Sequence, residues 1–134
     1  MTTELTYLAW TLVLAVGQIL WADVARTSQY GLKWNTGPRD EEVPPLNLMA
    51  ARLLRAQANL YETLPLFAAA VIIATIAHKD GSALTLWGCR LYVGGRVLYV
   101  PLYAFGVRQI RSLVWVVSFA GLLAVIAAVL LPSA

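Results

Sequence analysis

The segment Arg52-Leu-Leu-Arg55-Ala-Gln-Ala-Asn59-Leu-Tyr-Glu62 places four polar side chains at offsets of 0, 3, 7 and 10. At about 100° per residue these fall within an arc of about 80°, so a helix here presents Arg52, Arg55, Asn59 and Glu62 as one stripe. A second segment spaces Tyr92, Arg96, Tyr99 and Tyr103 by four, three and four residues, an arc of about 60°. Guanidinium groups bind carboxylates bidentately, and an amide with phenols suits peptide groups. The chemistry on offer is recognition of a soluble anion with peptide character. The alternative is that the stripes only pair with each other between helices, around a Glu62–Arg96 ion pair. Leaving both charges unpaired within a membrane would cost about 5–7 kcal/mol on insertion scales. Donors beyond that pair, namely Arg52, Arg55, Asn59 and the Tyr99 and Tyr103 phenols, exceed what packing needs and favour a ligand.

Both stripes are embedded in an apolar chain. Of 134 residues, 60% are hydrophobic and 13% charged, against about 45–50% and about 25% in soluble domains. Too few charges remain to cover a water-facing surface, which excludes a disordered chain, a nucleic-acid module and an ordinary soluble enzyme. The net charge is only +3, and the basic residues lie beside or inside apolar segments rather than in a patch. A single cysteine, Cys89, excludes an internal disulfide and a Cys-based metal site; no metal is expected. Residues 5–22 and 112–134 carry no charge, 56–77 carry only Glu62, and 81–107 carry only Arg90 and Arg96. Runs of this length suffice to cross a hydrocarbon core of about 30 Å.

The reading is therefore all-α, with one transmembrane domain over residues 1–134. It is a four-helix bundle, its helices at about 4–25, 47–77, 83–106 and 110–132. Tight turns at 78–82 and near Gly106 make consecutive helices antiparallel neighbours, and residues 26–46 form the long connection. Arg26, Lys33, Arg39, Arg52, Arg55, Arg108 and Arg111 gather on one side. By the positive-inside rule, loops 26–46 and 106–110 are cytoplasmic and both termini lie outside. His78 and Lys79 read as solvated turn residues. Trp10, Trp21, Trp87 and Trp115 read as interfacial anchors or packing, without chemistry. Cys89 sits among Gly88, Gly94 and Gly95, where small residues allow close helix approach.

Arg55-Ala-Gln-Ala-Asn59-Leu-Tyr-Glu62-Thr-Leu-Pro65-Leu-Phe67 resembles the second-helix signature of the MAPEG family, the membrane-associated proteins in eicosanoid and glutathione metabolism. Arg96-Val-Leu-Tyr99-Val-Pro-Leu-Tyr103 is similar to the third-helix pattern of its leukotriene-forming members, and Arg111-Ser112 to the fourth-helix start of its prostaglandin-E-forming members. The resemblance implies a homotrimer binding glutathione, as co-substrate, between neighbouring subunits. It implies that Arg52, Arg55, Asn59, Glu62, Tyr99 and Tyr103 contact the tripeptide, with Arg96 near Glu62. It also implies that Arg111 or Arg108 stabilises the thiolate, with Ser112 and Tyr99 beside the thiol. The Gly37-Pro38-Arg39-Asp40 loop is similar to that of bacterial members, and short loops suit a bacterial inner membrane.

Three functions compete. The first is an enzyme that transfers glutathione to a lipophilic electrophile, or reduces a peroxide with it. The second is a non-catalytic membrane protein of the same family that binds lipid or glutathione. The third is a small four-helix exporter, which would carry a carboxylate within its first span; residues 5–22 contain none.

Overall fold

A computed structural model describes residues 1–132; the last two residues of the uncharged run 112–134 lie outside the described residues. The described chain is all-helical: α1 (Thr3–Tyr30), α2 (Leu32–Thr36), α3 (Leu48–Ile76), α4 (Ala83–Ala104) and α5 (Gln109–Leu130). Side-chain caps start three of the long helices, with Thr2, Asn47 and Ser82 each accepting from a backbone N–H three residues on. α1 runs past the expected end at residue 25, because no helix breaker intervenes before Gly31 and the Asp23–Arg26 pair lies along its own surface. The short α2 was not expected from the sequence. It shortens the long connection, which is tied back to α1 by Gln29 and Tyr30 donating to the carbonyls of Pro45 and Pro44.

Three helices, Thr3–Tyr30, Leu48–Ile76 and Gln109–Leu130, are long and apolar enough to cross a membrane. The sequence reading expected four such spans. α4 stands outside that set because it carries Arg90 and Arg96 within its 22 residues. Large apolar side chains are exposed along the long helices, among them Leu12, Val16 and Leu20 on α1, Ile72 and Ile76 on α3, and Leu113 and Val116 on α5. A soluble monomer does not expose apolar surface on this scale. The protein is an integral membrane protein.

α4 and α5 form the most extensive interface, while α1 packs mainly on α3 and α4. The α4–α5 crossing is close because of Gly88, Gly95 and Gly121. A Cβ on Gly121 would stand 2.6 Å from Gly88 O and from Tyr92 N, both backbone atoms that cannot yield. Gly94, by contrast, faces open space, so it takes no part in this approach. Two apolar clusters fill the interior. One joins Phe67 and Val71 of α3 to Tyr92 of α4 and Leu122 of α5, with the Phe67 and Tyr92 rings stacked at 4.1 Å. The other joins Ala22, Leu53, Val100 and Ala104. Between them lies a polar layer.

Candidate functional site

The antiparallel register of α3 on α4 decides which polar groups meet. Thr63 Oγ1 and Tyr92 OH share a hydrogen bond at 2.9 Å, and one turn away Arg96 Nη1 donates to Asn59 Oδ1 at 2.6 Å. In that register Glu62 lies level with Val93, not with Arg96. The expected Glu62–Arg96 ion pair is therefore absent: Glu62 is exposed, and no carboxylate among the described residues lies within 4.0 Å of Arg96. Arg96 is 1% exposed, and its Nε and Nη2 have no partner among the described residues. Its guanidinium lies over the Tyr99 ring, 4.5 Å from the centroid.

α5 closes the other side. Trp115 Nε1 donates to the same Asn59 Oδ1 at 3.0 Å. Asn59, Tyr99, Arg111, Ser112, Trp115 and Val116 line one open cleft of about 250 Å³ at the N-terminal end of α5. At its mouth Tyr103 is held between two guanidinium groups. Arg55 Nε donates to its hydroxyl at 3.0 Å, and Arg111 lies over its ring at 4.6 Å. The Tyr99 and Tyr103 rings meet edge to face at 5.5 Å. An anion entering here meets Arg111, the Tyr99 phenol, the Ser112 hydroxyl and the first turn of a helix, all favourable to negative charge.

Of the residues the sequence singled out, the fold thus gathers Asn59, Tyr99, Arg111 and Ser112 in one cleft, with Arg55 and Tyr103 at its edge. Arg96 lies behind the cleft on Asn59, and three lie elsewhere. Arg52 lies against the turn between α4 and α5, where a Cβ on Gly106 would meet its guanidinium at 2.9 Å; Gly106 also has φ +75°, a conformation that favours glycine. Arg108 is the exposed residue preceding α5, and it reaches Ser112 only through its backbone carbonyl, which accepts from Ser112 Oγ at 3.3 Å. Glu62 faces outward from α3.

A model described as MAPEG family matches residues 6–131. The chain belongs to the MAPEG family. Searches among curated proteins and among solved structures returned no match. Membership fits a membrane protein and a generally glutathione-associated family; the cleft above is where this MAPEG chain brings together Asn59, Tyr99, Arg111 and Ser112.

Four residues of this MAPEG chain escaped the sequence reading. Trp115 is one, because a tryptophan in an uncharged helix looks like packing; only the approach of α5 to Asn59 reveals its donor. Glu4 is 1% exposed, and its Oε1 accepts from Gly81 N at 2.5 Å and from Thr85 Oγ1 at 2.8 Å, clasping α1 to the turn before α4. Lys79, expected to be solvated, instead donates to the Val129 and Leu131 carbonyls at 2.7 Å each, satisfying the open end of α5. Gln18 is 3% exposed with neither amide atom partnered among the described residues. Glu4 against Thr85 and Ala22 against Val100 bracket it at the depth of Arg96. No interhelical signal in the sequence links any of these pairs.

Proposed function

We propose that the protein is a membrane-bound glutathione-dependent transferase or peroxidase acting on lipophilic electrophiles. In this reading it is a four-helix transmembrane bundle that assembles as a homotrimer, with glutathione in a cytoplasm-facing cleft between subunits. The observation that carries the reading is the convergence of Arg111, Tyr99, Ser112 and Asn59 on one cleft at the start of α5, in a chain of the MAPEG family. The donors there outnumber the acceptors, which suits a peptide with two carboxylates. Arg55, Asn59 and Tyr103, with Arg52, Glu62 and Arg96 nearby, bind the tripeptide. Arg111 is assigned to the thiol in preference to Arg108, since Arg111 lines the cleft and Arg108 does not.

The chemistry follows. A free thiol has pKa of about 8.5, and a guanidinium beside the sulfur favours the thiolate. The thiol proton passes to solvent, the thiolate forms a carbon–sulfur bond with the electrophile, and the leaving group departs with the electron pair of the broken bond. The electrophile arrives from the lipid across apolar walls such as Val116. A cleft of about 250 Å³ is smaller than the about 300–1,000 Å³ of small-molecule sites, which supports a neighbouring subunit supplying the remaining wall. α4, at about 1.5 Å per residue, is about 33 Å long, so it too spans the bilayer once its charges are sheltered by neighbours. The concentration of arginines at the cleft end supports cytoplasmic loops there and termini outside; in this reading the membrane is a bacterial inner membrane.

Calorimetry with glutathione on detergent-purified protein, followed by conjugation of glutathione to a generic aryl halide, tests the reading. Binding and turnover are expected. Binding without turnover establishes the alternative, a non-catalytic lipid- or glutathione-binding member of the family, and no binding overturns the proposal. Native mass measurement in micelles should give a trimer; monomer or dimer alone overturns that part.

A further inference from the structure

Asn59 Oδ1 lies 2.6 Å from Arg96 Nη1 and 3.0 Å from Trp115 Nε1. Guanidinium and indole N–H groups donate and never accept, so the Asn59 atom between them is oxygen and both its lone pairs are occupied. The remaining polar atom, Nδ2, takes part in no hydrogen bond among the described residues, and Asn59 is half-buried and lines the cleft. An asparagine is ordinarily ambivalent, since rotation of its amide exchanges donor for acceptor. Here rotation would set the amide N–H against two other donors. Arg96 is itself fixed, buried against the Tyr99 ring, and Trp115 is fixed by stacking on Phe119 at 5.0 Å and 9°.

We propose that Arg96 and Trp115 are positioning residues that hold Asn59 as an obligate donor. The cleft then accepts a carboxylate or peptide carbonyl at Asn59 and rejects an amine or amide N–H there. For ligand identity this rests on the glutathione reading; the orientation of the amide does not. It makes Trp115, a residue without chemistry in the sequence, a determinant of which end of a peptide the cleft receives. It also explains how a buried arginine serves a site it does not line: its charge polarises the amide it holds, strengthening the donor on the far side.

The test separates the two readings. In protein labelled with 15N-tryptophan and without ligand, the Asn59→Ala substitution should shift one of five indole N–H resonances and speed its exchange with solvent. If no indole responds, the proposal is overturned whether or not glutathione binds. For glutathione affinity by calorimetry, Asn59→Asp keeps the held oxygen but replaces the donor with an acceptor. It should bind at least tenfold more weakly than Asn59→Ala. Asp binding as well as Ala, or better, means that oxygen faces the ligand and overturns the proposal. Trp115→Phe retains the stack on Phe119 and should weaken binding about three- to tenfold in the native background, with little further loss in Asn59→Ala. Independent, additive losses would mark Trp115 as merely structural and overturn its positioning role. If native protein binds no glutathione, the function proposed above falls and the indole resonance alone decides the amide orientation.

Discussion

Glu4 and Arg96 are both charged and both 1% exposed, one in the first turn of α1 and the other within α4, yet their surroundings differ. At the end of the molecule away from the cleft, Glu4 Oε1 receives the Gly81 amide and the Thr85 hydroxyl, and Lys79 reaches two carbonyls at the end of α5. That end is clasped, and its polar groups face one another. At the cleft end, Arg96 makes one hydrogen bond and keeps two nitrogens without protein partners, Gln18 keeps its whole amide, and Glu62 faces outward. Burying polar groups without partners is costly in a membrane. A fold that saturates one end and leaves the other open has spent stability where the proposed ligand contacts lie. The two ends should respond oppositely to substitution: the clasped end through stability, the open end through binding and turnover.

The largest contrast is expected at Arg111. Arg111→Ala should lower turnover about 100–1,000-fold, the loss of about 3–4 kcal/mol of electrostatic stabilisation, while glutathione affinity falls far less and the unfolding temperature holds. Arg55→Ala, at the Tyr103 edge of the cleft, should do the reverse and weaken binding more than turnover. Titration of bound thiolate by its ultraviolet absorbance assigns the role: the thiolate should be lost in Arg111→Ala and retained in Arg108→Ala. The opposite pattern would move the activating group to the residue preceding α5.

Glu4→Ala should act through stability alone. It strips the Gly81 amide of its partner and leaves the Thr85 hydroxyl with only the Ser82 carbonyl and hydroxyl, a cost of about 1–3 kcal/mol for the one orphaned group. Glu4→Gln keeps an acceptor oxygen and should recover much of that loss. Thermal unfolding in detergent measures it, and conjugation activity per folded molecule should remain unchanged. Lost activity in fully folded Glu4→Ala would mean that the clasped end also shapes the cleft.

The polar stripes on the cleft side of this contrast were legible beforehand; the clasped end was not, and the missing parts share a cause. Helical period alone shows the stripes of Arg52 to Glu62 and Tyr92 to Tyr103, because side-chain direction repeats every 3.6 residues. Period says nothing of how two helices slide past each other. A shift of one turn turned the expected partner of Arg96 from Glu62 into Asn59, and the Thr63–Tyr92 hydrogen bond that sets the shift joins Tyr92 of the second stripe to Thr63, a residue of no visible significance in the sequence. The same holds for glycine. Gly88, Gly94 and Gly95 suggest a close helix contact, but only the position of Gly121 tells which of them face it. Glu4 reaches a turn 77 residues away, and such a pairing leaves no local trace. The five-residue α2, between Gly31 and Gly37, is too short for periodicity to register.

Arg96→Met sharpens the comparison from the other side. Replacing a buried charge that lacks an ion partner with an apolar side chain of similar length is often neutral or stabilising. The unfolding temperature should hold or rise, unlike that of Glu4→Ala. Glutathione affinity should fall about tenfold, equivalent to about 1.4 kcal/mol, because Asn59 loses one of the donors that hold it. A collapse in stability would place Arg96 with Glu4 as a structural charge and remove the distinction between the two ends.

The smallest effect is expected at Lys79. Its ammonium satisfies two carbonyls at the C-terminal end of α5 and places positive charge at the negative end of that helix. Lys79→Met forfeits about 1 kcal/mol, a fall of about 3–5 °C in unfolding temperature for a domain of this size. Lys79 and Gly81 belong to the same turn, so the Lys79 and Glu4 clasps hold one element between them. Once either is released the turn gains freedom, and release of the second should cost less than it does alone. The double variant Glu4→Ala/Lys79→Met should therefore lose less than the sum of the two single losses. Lys79→Met combined with Arg111→Ala, at opposite ends of α5, should show strict additivity in stability and no change in turnover beyond that of Arg111→Ala. Coupling in that second pair would mean that α5 transmits strain between its ends, and that the clasped end and the cleft are one mechanical unit.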